Sequence, residues 1–349
     1  MSQTVDPKLR RELAREDLIY FPDSRPGIFR QRLGKKFEYY DADGKKIRER
    51  KALLRIKNLI IPPAWQDVWI SPHENGHLQA TGIDDRRRKQ YLYHPDWLKI
   101  SQENKFSKMI DFGSSLPKIR QKIYYELRQK LLSKERLLAT VVWLLEHTFV
   151  RIGNEEYSKE NNSFGLTTLH NRHANVRGSE ITFKFRGKSG VENTIEVDNP
   201  VIARTIKECI DLPGYELFQF IDDEGNRHTV ESKDVNLYLK DLTHDDFSAK
   251  DFRTWGATNL SAADLYRKGA VSDEKEVKKN VFETVKEVAH HLNNTVSVCR
   301  TYYIHPTVIE TYSKNLLVPH FEPYAKTRAA KRGLSWNEYA LIGLLKKFA

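Results

Sequence analysis

The stretch from Leu137 to Val150 constrains this chain more than any other segment, because it is apolar on nearly every face. A helix of that kind has no side to offer water, so other elements must surround it. Its densest part, Leu137 to Leu145 with only Thr140 interrupting, is far shorter than the roughly 20 residues that span a bilayer. The segment therefore predicts a buried central helix and not a membrane anchor. It exits through Arg151-Ile152-Gly153, where Gly153 is expected to supply a left-handed C-cap. Arg151 at the mouth of a buried element is costly unless Glu155, Glu156 or an external anion meets it.

Other segments predict what packs around that helix. Leu116, Ile119, Ile123, Leu127 and Leu131 recur at helical spacing, with Ser115 as the expected N-cap and Pro117 in the first turn. Ser272-Asp273-Glu274 opens a helix with the stripe Val277, Val281, Val285, Val288 and Leu292. Ser335 to Glu338 reads as a capping box for the last helix. Residues 178–198 read instead as a hairpin: Ile181, Phe183 and Phe185 alternate with polar residues before a Gly187-Lys188-Ser189-Gly190 turn. Upstream, the Asp43-Gly44 turn, Pro62-Pro63, Pro72, Asn75-Gly76 and Pro95 punctuate short extended runs such as 67–70. The expectation is α+β. A small, mostly β domain over 1–105 precedes a larger, mainly helical domain over 106–349 that carries a β-hairpin sheet.

Across 349 residues, 58 Lys and Arg against 47 Asp and Glu give a net charge of +11, which suggests anionic partners. Two cysteines, Cys209 and Cys299, make no disulfide framework, and no apolar leader opens the chain, so a cytoplasmic protein is expected. His73-Glu74-Asn75-Gly76-His77 has the zinc-protease spacing, yet Pro72 and Asn75-Gly76 place it on a turn, where the two imidazoles cannot meet one ion. Gly187-Lys188-Ser189 lacks the earlier glycine of a phosphate-binding loop, because Thr182 stands there. Neither a metal nor a nucleotide cofactor is expected.

Arg86 to Lys89 is the densest cationic run, and Gln90, Tyr91 and Tyr93 follow it. Cations neutralise phosphates while amides and rings address bases, and two tyrosines two apart on a strand share a face. The plainer alternative is a solvated charge run beside core tyrosines. Lys188 at a hairpin tip, Arg253 among apolar residues and the tyrosines of the 299–306 segment are each weak signals alone.

Taken in order, these segments resemble the type IB DNA topoisomerases of the poxvirus-like and bacterial branch. Residues 62–70, 75–82 and 88–95 are similar to the family's N-terminal DNA clamp. Residues 150–157, 165–169, 185–188, 250–256 and 299–306 are similar to its catalytic domain, which shares its fold with the tyrosine recombinases. The resemblance implies Tyr303 as nucleophile, with Tyr302 a neighbour, and Arg151, Lys188 and Arg253 as the catalytic cations. Poxvirus members carry His nine residues before the tyrosine, where this chain has Asn294, so the fourth phosphate contact falls to Asn294. DNA contacts are implied for Arg88, Lys89, Gln90, Tyr91, Tyr93, Tyr157 and Lys250.

The implied function is relaxation of supercoiled duplex DNA through a 3′-phosphotyrosyl intermediate, without ATP or an obligatory metal, by a monomer clamped around DNA. The alternatives are a tyrosine recombinase and a basic protein that binds DNA without cutting it. Recombinases typically place His three residues before the second Arg, where Lys250 stands here.

Overall fold

In the computed structural model, which describes residues 7–34, 36–155, 158, 161–327 and 333–349, a five-stranded sheet organises the first unit and helices most of the second. The units are Met1–Ser107 and Lys108–Ala349.

The first unit comprises α1 (Pro7–Arg15), β1 (Ile28–Leu33), β2 (Lys36–Tyr40), α2 (Arg50–Asn58), β3 (Gln66–Ile70), β4 (Leu78–Ile83), β5 (Lys89–Tyr93) and α3 (Pro95–Ser107). Its strands form one sheet in the order β2-β1-β3-β4-β5, every pairing antiparallel. Val68 and Ile70, two apart on β3, pack with Ile28, Ala80 and Ile56 of α2 into one core. Leu13, Leu18 and Ile100 form a second cluster with Tyr20 and Trp97. The Asp43-Gly44 turn forms, but the returning chain adds only the bridge Tyr40–Lys46 and no full strand. His73 to His77 lies on the β3–β4 turn as expected. His77 stacks on Tyr20 at 4.3 Å and accepts from the Phe21 N–H through Nδ1 at 3.0 Å, and burial pulls its pKa down to about 4. It is a packed, neutral core residue.

The second unit starts with α4 (Met109–Glu126) and α5 (Lys134–Thr148). The strands β6 (Ala174–Arg177), β7 (Glu180–Arg186) and β8 (Glu192–Asp198) follow, then α6 (Pro200–Asp211), β9 (Gln219–Ile221) and β10 (Arg227–Thr229). The remaining helices are α7 (Ser232–Thr243), α8 (Ala249–Lys268), α9 (Glu274–His291), α10 (Val296–Tyr302), α11 (Pro306–Ser313), α12 (Leu317–Thr327) and α13 (Trp336–Phe348). Helix α5 is central as its sequence requires: Leu137, Ala139, Val141, Val142, Leu144 and Leu145 are all fully buried. The α9 stripe is buried from Val277 to Leu292, and Glu338 closes the capping box of α13 by accepting from Ser335 N at 2.9 Å. The hairpin alternation also holds, with Ile181, Phe183 and Phe185 inward.

Three expectations fail. Helix α4 begins at Met109, not at Ser115, whose hydroxyl donates to the Asp111 carbonyl inside the helix at 2.9 Å. Burial of Met109 and Phe112 ahead of Pro117 offsets the roughly 3 kcal/mol that an interior proline costs. Leu131 lies beyond the end of α4 and is 80% exposed, so the stripe stops at Leu127. Gly153 has φ +107 but is not the cap of α5; Phe149 is, in the left-handed region at φ 53. One buried group escaped sequence reasoning altogether. Arg136, fully enclosed in α5, is held by Glu208 at 2.6 Å and Thr205 at 3.0 Å, both from α6.

Candidate active site

Phe149 explains its own strained backbone. Its ring lies against Gly256 of α8 so closely that a Cβ there would sit 2.0 Å from Phe149 Cε1, and its carbonyl accepts from Arg253 Nη1. Contact with α8 thus supplies what αL costs a bulky residue. Arg253, only 4% exposed, also donates from Nη2 to the Leu292 carbonyl at the end of α9, at 2.8 Å. Two helix ends therefore fix its guanidinium. Burial, then the charge of Arg151, lowers the Arg253 pKa, and contact with Tyr303 opposes them.

Arg151 is set by the loop after it. Its carbonyl accepts from Leu166 N at 2.9 Å, and Ile152 O accepts from Thr167 N at 2.7 Å. Gly165 is required for this approach, since a Cβ there would lie 2.6 Å from Arg151 O. Arg151 Nη2 donates to Asn294 Oδ1 at 2.7 Å, so among the described residues an amide brought by the α9–α10 turn meets this guanidinium. The Asn294 amide nitrogen Nδ2 and Arg253 Nε are both buried without a partner among the described residues. Donors left unspent in this way are unfavourable unless a ligand accepts from them.

Tyr303 caps the C-terminus of α10. The Arg253 guanidinium carbon stands 5.2 Å from its ring centroid. Burial would raise the phenol's pKa, but the charge of Arg253 and a hydrogen bond from it, followed by Arg151 and Lys250, hold it below the ordinary tyrosine value. Below Tyr303 lies a residue that sequence reasoning missed. Thr258 of α8, fully buried, donates to the Tyr303 carbonyl and accepts from His305 N, each at 3.0 Å. A helix-interior threonine was the available signal, since such a hydroxyl needs a partner.

The structure brings Arg151, Lys188, Lys250, Arg253 and Tyr303 together around one cleft of about 390 Å³. Lys188, exposed at the β7–β8 tip, also lines an adjoining cavity of about 210 Å³ with Arg151, Arg253, His290 and His291. His290 and His291 are therefore neighbours of the site, while Asn294 makes the contact to Arg151. Such a cluster of cations around an activated phenol can bind a phosphodiester and stabilise charge gathering on its oxygens.

Comparison with known proteins decides which chemistry family this is. The sequence profile described as "Eukaryotic DNA topoisomerase I, catalytic core" matches residues 95–320, and that of "Bacterial DNA topoisomerase IB, N-terminal domain" matches residues 36–84. DNA topoisomerase 1B of Acanthamoeba polyphaga mimivirus is 32% identical over 83% of this chain and 88% of its own. The chain belongs to the type IB DNA topoisomerases. DNA topoisomerase 1B of vaccinia virus (strain Copenhagen) is 24% identical over 69% of this chain and 74% of its own. DNA topoisomerase 1 of Mycosarcoma maydis is 26% identical over 45% of this chain and 17% of its own.

In this topoisomerase the N-terminal unit carries most of the other candidates. Tyr91 and Tyr93 share one face of β5, with ring centroids 6.0 Å apart and planes 8° from parallel. The four-cation run needs correction. Arg88 is held by Asp84 through Nε and Nη2 at 2.9 and 2.6 Å, Gln90 donates to the same carboxylate at 2.8 Å, and Lys89 pairs with Asp23 at 2.6 Å. Hydrogen bonding from Arg88 takes the Asp84 pKa down to about 2. Local carboxylates thus share two of the four charges, while Arg86 and Arg87 sit exposed on the turn beside Asp85. Tyr157 lies outside the described residues.

Proposed function

We propose that this topoisomerase relaxes supercoiled duplex DNA by reversible attack of Tyr303 Oη on a backbone phosphorus. One observation carries the residue assignment. A phenol held below its ordinary pKa by Arg253 shares a cleft with that arginine, whose Nε is a buried donor with no acceptor among the described residues, and the Asn294 amide that meets Arg151 likewise leaves its Nδ2 unspent. A non-bridging phosphate oxygen is the acceptor that such donors suit.

In the forward step Tyr303 Oη gives up its proton to solvent, the P–Oη bond forms and the P–O5′ bond breaks, leaving a 3′-phosphotyrosyl link. Arg151 and Arg253 stabilise the pentacoordinate transition state, and Asn294 adds a neutral donor. Lys188, at the hairpin tip, gives its proton to the departing 5′ oxygen. The ester retains the energy of the broken bond, so the 5′-hydroxyl attacks back after the strand swivels, and the cycle needs neither ATP nor a metal ion. The proposed DNA contacts are Lys250 in the cleft, Tyr157, and Arg88, Lys89, Gln90, Tyr91 and Tyr93 on a clamp formed by the N-terminal unit. A monomer acting in the cytoplasm suffices for this cycle.

The test is plasmid relaxation in buffer lacking ATP and magnesium. Wild type is expected to give a ladder of relaxed topoisomers, and Tyr303→Phe none, with duplex binding retained. Tyr302→Phe is expected to stay active. A dead Tyr302→Phe beside a Tyr303→Phe variant that still forms covalent adducts would overturn the assignment.

A further inference from the structure

The hairpin that carries Lys188 is tied to the helical framework at a point the cleavage chemistry does not itself use. Asn193 stands on β8 opposite Phe185 of β7. Its Nδ2 donates to the Val191 carbonyl at 2.8 Å, and that carbonyl also accepts from Gly187 N at 2.7 Å. The amide lies so close to Gly187, the residue before Lys188, that a Cβ there would be 2.4 Å from Asn193 Nδ2. Its Oδ1 meets the other side of the site, accepting from Asn293 Nδ2 at 2.6 Å. Asn293 sits at φ +48, a left-handed conformation that asparagine tolerates better than most residues, on the turn between α9 and α10. The next residue is Asn294, which holds Arg151 at 2.7 Å. One chain of contacts thus runs from the root of Lys188 through two amides to the turn that carries Asn294 and, through it, to Arg151.

We propose that the Asn193–Asn293 hydrogen bond is a latch that positions the Lys188 hairpin for proton transfer to the leaving 5′ oxygen. Ser189 and Gly190 at the tip both have positive φ, so the turn is a tight loop whose place is set by the strands that carry it. Restraining that loop at Asn193 raises the fraction of time Lys188 spends within reach of the oxygen, as a positioning residue does. The inference rests on Lys188 acting as the acid. The latch acts through Lys188 and touches no reacting atom.

The experiment measures single-turnover cleavage of an ordinary duplex and of one whose scissile bridging 5′ oxygen is replaced by sulfur, a leaving group that needs little protonation. Four proteins are compared: wild type, Lys188→Ala, Asn193→Ala and Asn293→Gly. Glycine preserves the left-handed backbone and removes only the amide. Loss of the one latch hydrogen bond is expected to slow Asn293→Gly about three- to ten-fold on the oxygen substrate, and Asn193→Ala, which also loses its bond to the Val191 carbonyl, at least as much. The rate on sulfur should return to that of wild type. Unchanged cleavage of the oxygen substrate, or equal slowing on both, overturns the latch while recovery of Lys188→Ala on sulfur leaves the acid assignment standing. Failure of Lys188→Ala to recover removes the acid assignment, and the latch falls with it.

Discussion

Asn294 occupies two positions at once in this structure, and a single substitution separates them. Its Oδ1 anchors Arg151 at 2.7 Å, while its Nδ2 is buried without a partner among the described residues. Asn294→Asp keeps the anchor and strengthens it, since a carboxylate accepts from a guanidinium better than an amide does. It also replaces the unspent donor with an anionic oxygen. Two like charges about 4 Å apart at an effective dielectric near 20 repel by about 4 kcal/mol. At about 1.4 kcal/mol per decade that repulsion slows cleavage by nearly a thousandfold, on top of the lost donor. Asn294→Ala loses donor and anchor without adding charge, and a drop of about 10²–10³ is expected. Asn294→His retains substantial activity, because an imidazole N–H can replace the amide. The assay is single-turnover cleavage of a short duplex whose leaving strand dissociates, with trapping of the covalent adduct. The refuting result is Asn294→Asp cleaving as fast as wild type. Asn294 would then serve Arg151 alone, and the fourth phosphate contact would have to come from elsewhere, with His290 and His291 the nearest candidates along the adjoining cavity.

Three further outcomes follow from the geometry. Ultraviolet difference titration of wild type against Tyr303→Phe should reveal a tyrosine ionising below its ordinary pKa near 10; in an Arg253→Ala background the same titration should move up, because burial then acts with less opposition. Gly256→Ala forces the Phe149 ring away from α8, so a loss of about 1–3 kcal/mol in chemical denaturation is expected together with slower cleavage, as the Arg253 anchor at Phe149 O shifts. Duplex affinity should fall steeply between low and physiological salt, with a log–log slope set by the number of phosphates neutralised; Arg86→Ala and Arg87→Ala should each flatten it by about one unit, and no change would remove the turn from the DNA surface.

Much of the fold was legible because its signals are local. The apolar faces of Leu137 to Leu145 require a central helix, and the alternation of Ile181, Phe183 and Phe185 requires a strand whatever surrounds it. What the sequence hid depends on partners far away along the chain. Phe149 takes the left-handed cap in place of Gly153 because Gly256 and Arg253 wait on α8, the latter 104 residues on. Ser115 reads as a cap only until the buried side chains ahead of Pro117 extend α4 backward. Arg86 to Lys89 reads as free charge until the fold brings Asp23 to Lys89. In the site, residue types were readable from family-like motifs, but Thr258 and the pairing of Asn294 with Arg151 needed coordinates. Both are side-chain contacts between segments whose spacing carries no pattern.

The fastening of Tyr303 has a mechanical meaning. Its carbonyl is held by Thr258 of α8, and its N–H donates to Cys299 O within α10. In the proposed cycle, DNA joined to Tyr303 would be rooted in the helical scaffold through these two bonds. Torque from the rotating duplex would then be resisted by that scaffold. In that cycle a rooted stem would also return the phosphorus to one place after every revolution, so the swivelling 5′ end would meet a stationary target.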